Sequence, residues 1–217
     1  MIPTIESFWQ GPDAEDRRKT HAKEYALHSS ELEGAAAGLH PRICAVVTAY
    51  EAEHGPTLPG RYASGWRPKS VNDATANAGK TSAHLDASAG DVATEPDGEF
   101  AWWCMRNPHI LAMHALYLEH PSATVLRAFA TARQAGRAPT PWAHLTTRAP
   151  GSHLRVFHPD GASVTDWDAY LGEGGDPLGC GYAAWAALPL EGGARNAQAD
   201  PGASRAGGGR ATPTPRA

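Results

Sequence analysis

Ser82-Ala-His84-Leu-Asp86-Ala87-Ser88-Ala89-Gly90-Asp91-Val-Ala-Thr94 decides how the chain is read. Its first half is small and polar, so it reads as a loop. Its last four residues read as a strand, closed by the turn signal Glu95-Pro-Asp-Gly98. His84 and Asp91 are seven residues apart, which on a straight helix is about 10.5 Å of rise. Ligands sharing one zinc must each bring an atom to about 2 Å from it. A straight helix therefore cannot easily serve both residues. A loop of small residues folding back onto a strand start can. Taken alone, a His and an Asp at this spacing recur by chance.

Further along, Trp142-Ala-His144-Leu-Thr-Thr147 alternates as a strand, with Trp142, His144 and Thr146 on one face. His144 would complete a set of two imidazoles and one carboxylate. On zinc such a set leaves a fourth position for water, the pattern of a catalytic rather than a structural site. A zinc ion lowers the pKa of bound water from 15.7 to about 7 and polarises a carbonyl, which points to hydrolysis of an amide or ester.

Outward from these segments the chain alternates short helices and strands. Glu31 to Glu53 reads as helical in two pieces around Gly38 and Pro41, with Ile43, Val46, Val47 and Tyr50 on one apolar face. Gly55-Pro-Thr-Leu-Pro-Gly60 ends it. Tyr62 to Trp66 is a strand candidate. Lys69 to Ala78 is a short helix capped by Ser70 or Asn72. Glu99 to Arg106, Pro108 to His120 and Ala123 to Ala135 read as helices, and Arg155 to His158 as a final strand. The mixture predicts an α+β fold.

Composition narrows the function. The 217 residues suggest one domain, assigned to residues 1–190, and the formal charge of −4 argues against a nucleic-acid partner held by a basic surface. No apolar run approaches the ~18 residues of a membrane span. The start shows no basic region leading into an apolar stretch, so the expectation is a chain made as a cytosolic protein, with any export coming by lysis or another route. Cys44, Cys104 and Cys180 have no metal-type spacing and read as reduced thiols. His21, His28, His40, His54, His109 and His120 read as surface or capping residues. Residues 191–217 hold six Gly, seven Ala, three Pro and four Arg without an aromatic, and are expected to form a disordered tail.

Ser64-Gly-Trp-Arg-Pro68, Val71-Asn72, Ser82-x-His84, Asp91 and Trp142-x-His144, in that order, resemble the zinc D-Ala-D-Ala carboxypeptidase/endopeptidase family. This is the group with the hedgehog-type DD-peptidase fold, which includes many phage endolysins. Leu118-Glu-His-Pro121 and Arg155-Val-Phe157 resemble its phage-type branch. The resemblance runs over roughly residues 29–159. It implies a small antiparallel sheet flanked by helices, one Zn²⁺ per chain, and a peptidoglycan stem peptide as substrate.

It also implies roles. His84, Asp91 and His144 match the zinc ligands. Arg67 matches the arginine that holds a substrate carboxylate or carbonyl, a task its planar fork suits; the alternative is a structural ion pair. Ser82 matches a residue beside the bound peptide, or it braces the loop. Trp142 either walls the substrate groove or packs in the core. Two departures stand out. Ala87 occupies a position where the family usually has Gly, which matters if that position needs a positive φ. Pro141 lies where better-known members carry the general base, three residues before the second His. Glu119 is the substitute candidate for the base and Asp86 a second one. The alternative function is a chain that retains zinc and binds wall peptides without turnover. Val125 to Ala138 looks like an inserted helix relative to compact phage forms, a lid, a groove wall or a neutral elaboration.

Overall fold

The computed structural model describes residues 1–75, 78–151 and 155–157. The expectations for His158, for the remainder of the 1–190 domain and for the 191–217 tail lie outside these residues. Within them the chain runs α1 (Ile5–Phe8), α2 (Arg17–Thr20), α3 (Ala22–His54), β1 (Tyr62–Ser64), α4 (Lys69–Ala74), β2 (Ala89–Ala93), α5 (Glu99–Arg106), α6 (Pro108–Met113), β3 (Tyr117–Glu119), α7 (Pro121–Gln134), β4 (Trp142–Thr146) and β5 (Val156–Phe157). This is an α+β arrangement. No helix among the described residues is long and apolar enough to cross a membrane.

The strands form one five-stranded sheet in the order β1-β2-β4-β3-β5. The sheet is mixed rather than antiparallel as expected. β1–β2, β2–β4 and β3–β4 run antiparallel, but β5 lies parallel to β3, with Leu118 opposite Val156 and Glu119 opposite Phe157. A two-residue edge strand carries too little alternation to announce its direction.

One sheet face is the core face. Ala143, Leu145, Leu118 and Val92 are buried on it. α3 covers it through Leu32, Ala36, Leu39, Ile43, Val46, Val47 and Tyr50, an apolar stripe at helical spacing. Gly90 marks the close approach: a Cβ there would meet the Tyr62 ring at 2.8 Å and Ile43 Cδ1 at 3.3 Å. α5 packs on the same helix, with Phe100 and Trp103 edge-on to Tyr50 at 5.1 and 5.4 Å. Trp103 Nε1 donates to Glu53 at 2.8 Å, giving the buried indole a polar partner.

Three local expectations are corrected. α3 is not split at Gly38 and Pro41; its one non-helical residue is His28. Pro41 and Ala37 are both exposed, so the carbonyl that loses its partner faces solvent and the helix continues. α4 starts after Pro68 without a side-chain cap, because Ser70 bonds Glu24 and the Asn72 amide donates to the Gly79 carbonyl at 3.1 Å. Tyr117 to Glu119 is strand, not helix. α6 closes with Ala115 at φ 50°, Leu116 N–H donating to the Leu111 carbonyl at 2.9 Å and Ala115 N–H to Ala112 at 3.1 Å. That is a Schellman closure built on alanine, so the usual glycine stop signal is missing.

The N-terminal segment is part of the body. Trp66 N–H donates to the Phe8 carbonyl at 3.2 Å, and Phe8 meets Trp9 and Tyr62 edge-on at 5.2 Å. Gly65 lies directly under Phe8, where a Cβ would collide with that carbonyl and with the ring. Gly65→Ala is expected to destabilise the fold by about 1–3 kcal/mol through overpacking. Urea unfolding of the variant measures this; a midpoint equal to the parent's would show that the arm does not press on Gly65.

Candidate metal centre

The face opposite the core carries a row of polar side chains. In the β2–β4 ladder Asp91 stands opposite His144. In β3–β4 Tyr117 pairs with Thr146 and Leu118 with Leu145, so the next step sets Glu119 opposite His144 on its other side. Directly opposed residues in an antiparallel pair share a face. The register thus aligns Asp91, His144 and Glu119 across three neighbouring strands, with Ser64 opposite Asp91 at one end.

His84 enters from the loop that precedes β2. The loop is a series of tight turns, with Ser82 N–H donating to Gly79, Leu85 to Ser82 and Ser88 to Ala83. Ala87 lies in it at φ 58°, fully buried. The position does need a left-handed backbone, and alanine bears the steric cost that glycine avoids. The loop is fastened on two sides. Arg67 N–H donates to the His84 carbonyl at 3.0 Å and Trp66 Nε1 to the Leu85 carbonyl at 3.3 Å. Arg148, two residues past β4, donates to the Thr81 carbonyl at 2.6 Å and pairs with Asp86.

The ligand-type atoms converge. His144 Nδ1 lies 2.8 Å from Asp91 Oδ1, His84 Nε2 3.4 Å from Asp91 Oδ2, and the two ring nitrogens 3.3 Å apart. One atom from each residue lies within 4.8 Å of the others. His84 and Asp91 are buried and His144 nearly so. His84 Nδ1 is 2.7 Å from the Gly65 carbonyl. A carbonyl only accepts, so Nδ1 donates to it, which leaves Nε2 as the ring atom that faces Asp91 and His144. A backbone carbonyl fixing the far nitrogen is the usual support of a metal-ligating imidazole. The donor set and its spread therefore fit one small divalent cation, and two nitrogens with one carboxylate suit zinc.

Electrostatics agree with a site for positive charge. Burial pushes the Asp91 carboxyl up, but the charges and hydrogen bonds of His84 and His144 outweigh it and hold the group far below the usual carboxylate range. Burial pulls His144 down, yet the hydrogen bond and charge of Asp91, with Glu119 adding, carry its pKa above the ordinary value.

The remaining residues are placed as follows. Arg67 is partly buried, its NH2 3.8 Å from Asp91 Oδ2 and 3.4 Å from Ser64 Oγ, a loose contact that leaves donors open. Ser82 Oγ accepts from the His84 N–H at 3.4 Å, so it braces the loop. Trp142 is half-buried on β4, two residues before His144 on the same face, and is not a core residue. Glu119 is half-buried beside His144. Asp86 is turned away, toward Arg148 and Ser88. Pro141 is buried, its carbonyl taking the Thr94 N–H at 3.3 Å and hydroxyl at 3.1 Å. His120, read as a surface or capping residue, is fully buried, and its Nδ1 accepts the Ser122 N–H at 3.2 Å where α7 begins. Sequence reasoning missed the Gly65 carbonyl, a backbone group with no side-chain signal.

No family model, no curated protein and no solved structure matches the chain.

Zinc binding is expected at one ion per chain, and His84→Ala should remove it. Because Asp91 raises the pKa of His144, metal loading should release more protons as the pH falls. Affinity should fall as pH drops from about 8 to about 6, where imidazoles protonate. Calorimetry in two buffers of different ionisation enthalpy measures the release; affinity flat across that range would exclude His144 as a ligand.

Proposed function

We propose that the chain is a zinc-dependent peptidase hydrolysing amide bonds of peptidoglycan stem peptides, as a D-Ala-type carboxypeptidase or an endopeptidase. The observation that carries this reading is the buried convergence of His84, Asp91 and His144 with Glu119 next in the same row. The stem-peptide substrate comes from the resemblance of Ser64–Pro68, Ser82–Asp91 and Trp142–His144 to the zinc DD-peptidases.

His84 Nε2, His144 Nδ1 and an Asp91 oxygen would hold the ion. When bound, zinc supplies Lewis acidity toward the scissile carbonyl and brings the pKa of a ligated water to about 7. Glu119 takes the proton of the attacking water and returns it to the departing amine. Such general base and acid work contributes typically 10²- to 10⁴-fold. Arg67 turns its open donors to the substrate carbonyl or carboxylate, placed by its own backbone bond to His84. Trp142 offers an apolar wall for the peptide beside His144.

A second reading is a chain that binds zinc and wall peptides without turnover. Pro141, standing where better-known family members carry an acid, favours it. Glu119→Gln separates the two. On the peptidase reading this variant keeps one zinc per chain and loses turnover by about 10²-fold or more. Full activity in it would retire Glu119 as the base.

Digestion of purified peptidoglycan, with mass analysis of released fragments and a chelator control, tests the activity itself. Stem fragments that vanish with chelator and return with zinc are expected. Intact stems at saturating zinc would overturn the peptidase reading.

A further inference from the structure

His84 is held by two consecutive peptide units, and the N-terminal arm holds the same two units from the other side. In the unit joining Gly65 to Trp66, the carbonyl accepts from His84 Nδ1 at 2.7 Å and the N–H donates to the Phe8 carbonyl at 3.2 Å. In the unit joining Trp66 to Arg67, the N–H donates to the His84 carbonyl at 3.0 Å and the carbonyl accepts from Arg17 NH1 at 2.7 Å. A trans peptide is planar and turns its C=O and N–H in opposite directions. Each unit is therefore a rigid bar with the arm at one end and His84 at the other.

The arm delivers its two contacts as one piece. Gln10 and Asp16 pair across a tight turn, Gly11 N–H donates to the Glu15 carbonyl at 3.0 Å and Arg17 N–H to the Trp9 carbonyl at 2.8 Å. Phe8 and Arg17 thus approach residue 66 together. Arg17 is 6% exposed, and Gly11 lies against its side chain, where a Cβ would stand 3.3 Å from Arg17 Nε. Asp91 and His144 need no such support, because they face each other on paired strands. His84 stands on a loop, and both its ring and its backbone are tied to the units that the arm grips.

We propose that Arg17 is a positioning residue for the metal centre. It holds His84 in ligating position through the Trp66 carbonyl, so metal occupancy and docking of the arm favour each other. The coupling rests on the zinc centre of the proposed peptidase and is independent of turnover. Groups that fix a ligating imidazole are worth roughly 10- to 100-fold in metal affinity. Arg17 acts one bond further out, so about tenfold is expected. Coupling between binding events is reciprocal. The affinity lost when the arm is loosened should therefore reappear, by about the same factor, as protection of the arm when zinc binds.

The test uses the full chain. Zinc affinity is measured by competition with a chromophoric chelator in the parent, Arg17→Met and Tyr50→Phe, alongside the urea midpoint of each metal-free chain. Arg17→Met should still take one zinc per chain, about tenfold more weakly. Tyr50→Phe loses a 2.6 Å bond to Glu95 on the core side. It should lower the urea midpoint and leave zinc affinity unchanged, which separates positioning from stability. A second measurement needs no variant and stands if Arg17→Met does not fold. Hydrogen exchange of the Arg17 and Trp66 amides is followed in the parent with and without saturating zinc. Their protection should rise about tenfold more than that of the Asn107 amide at the end of α5. Parent-like affinity in Arg17→Met, an equal loss in Tyr50→Phe, or a rise at residues 17 and 66 no larger than at 107 would each overturn the coupling. A parent that binds no zinc would sink the centre and the coupling together. Cleavage enters none of these readouts, so failure of the peptidase reading shows separately.

Discussion

The rung that joins Asp91 to His144 across β2 and β4 is the constraint on which the site depends. Strand side chains alternate, so a slip of one residue would send Asp91 into the core and Val92 to the site. The core prevents that slip. Val92, Ala143 and Leu145 are buried on the other face against α3, and Gly90 admits Tyr62 and Ile43 too closely for any other register. The apolar packing of one face thus sets the polar chemistry of the other.

His84 depends on a different kind of support. Its loop has no ladder and is positioned by backbone carbonyls and N–H groups of residues 65–67, with Arg148 on the far side. Those residues are placed in turn by the N-terminal arm, through Phe8 and Arg17. Segments far apart in sequence therefore meet at one imidazole.

Much of this was legible in the sequence because the signals are local. Residues 142–147 alternate clearly, residues 82–88 form no regular element although β2 starts at Ala89, two residues before the strand was read to begin, and α5 begins after its turn signal at Glu99 as read. What was not legible is either backbone or non-local. β3 was read as helix because alanine, not glycine, holds the left-handed stop at 115, and its strand state comes from pairing with β4. The parallel β5 is too short to declare a direction. In the site, the three ligand-type residues could be named from spacing and resemblance, and their convergence required the fold. The Gly65 carbonyl and the buried state of Arg17 could not be named, because neither is a property of residue type.

The clasp from Arg148 to Thr81 and Asp86 has a consequence for how the molecule answers its medium. It lies at the surface, with both charged partners about half exposed, whereas the His84–Asp91–His144 cluster is enclosed. Dissolved ions weaken exposed pairs strongly and enclosed ones little. Ionic strength therefore acts as a dial on the outer fastening of the loop that carries His84, loosening it while the inner ligands keep their places.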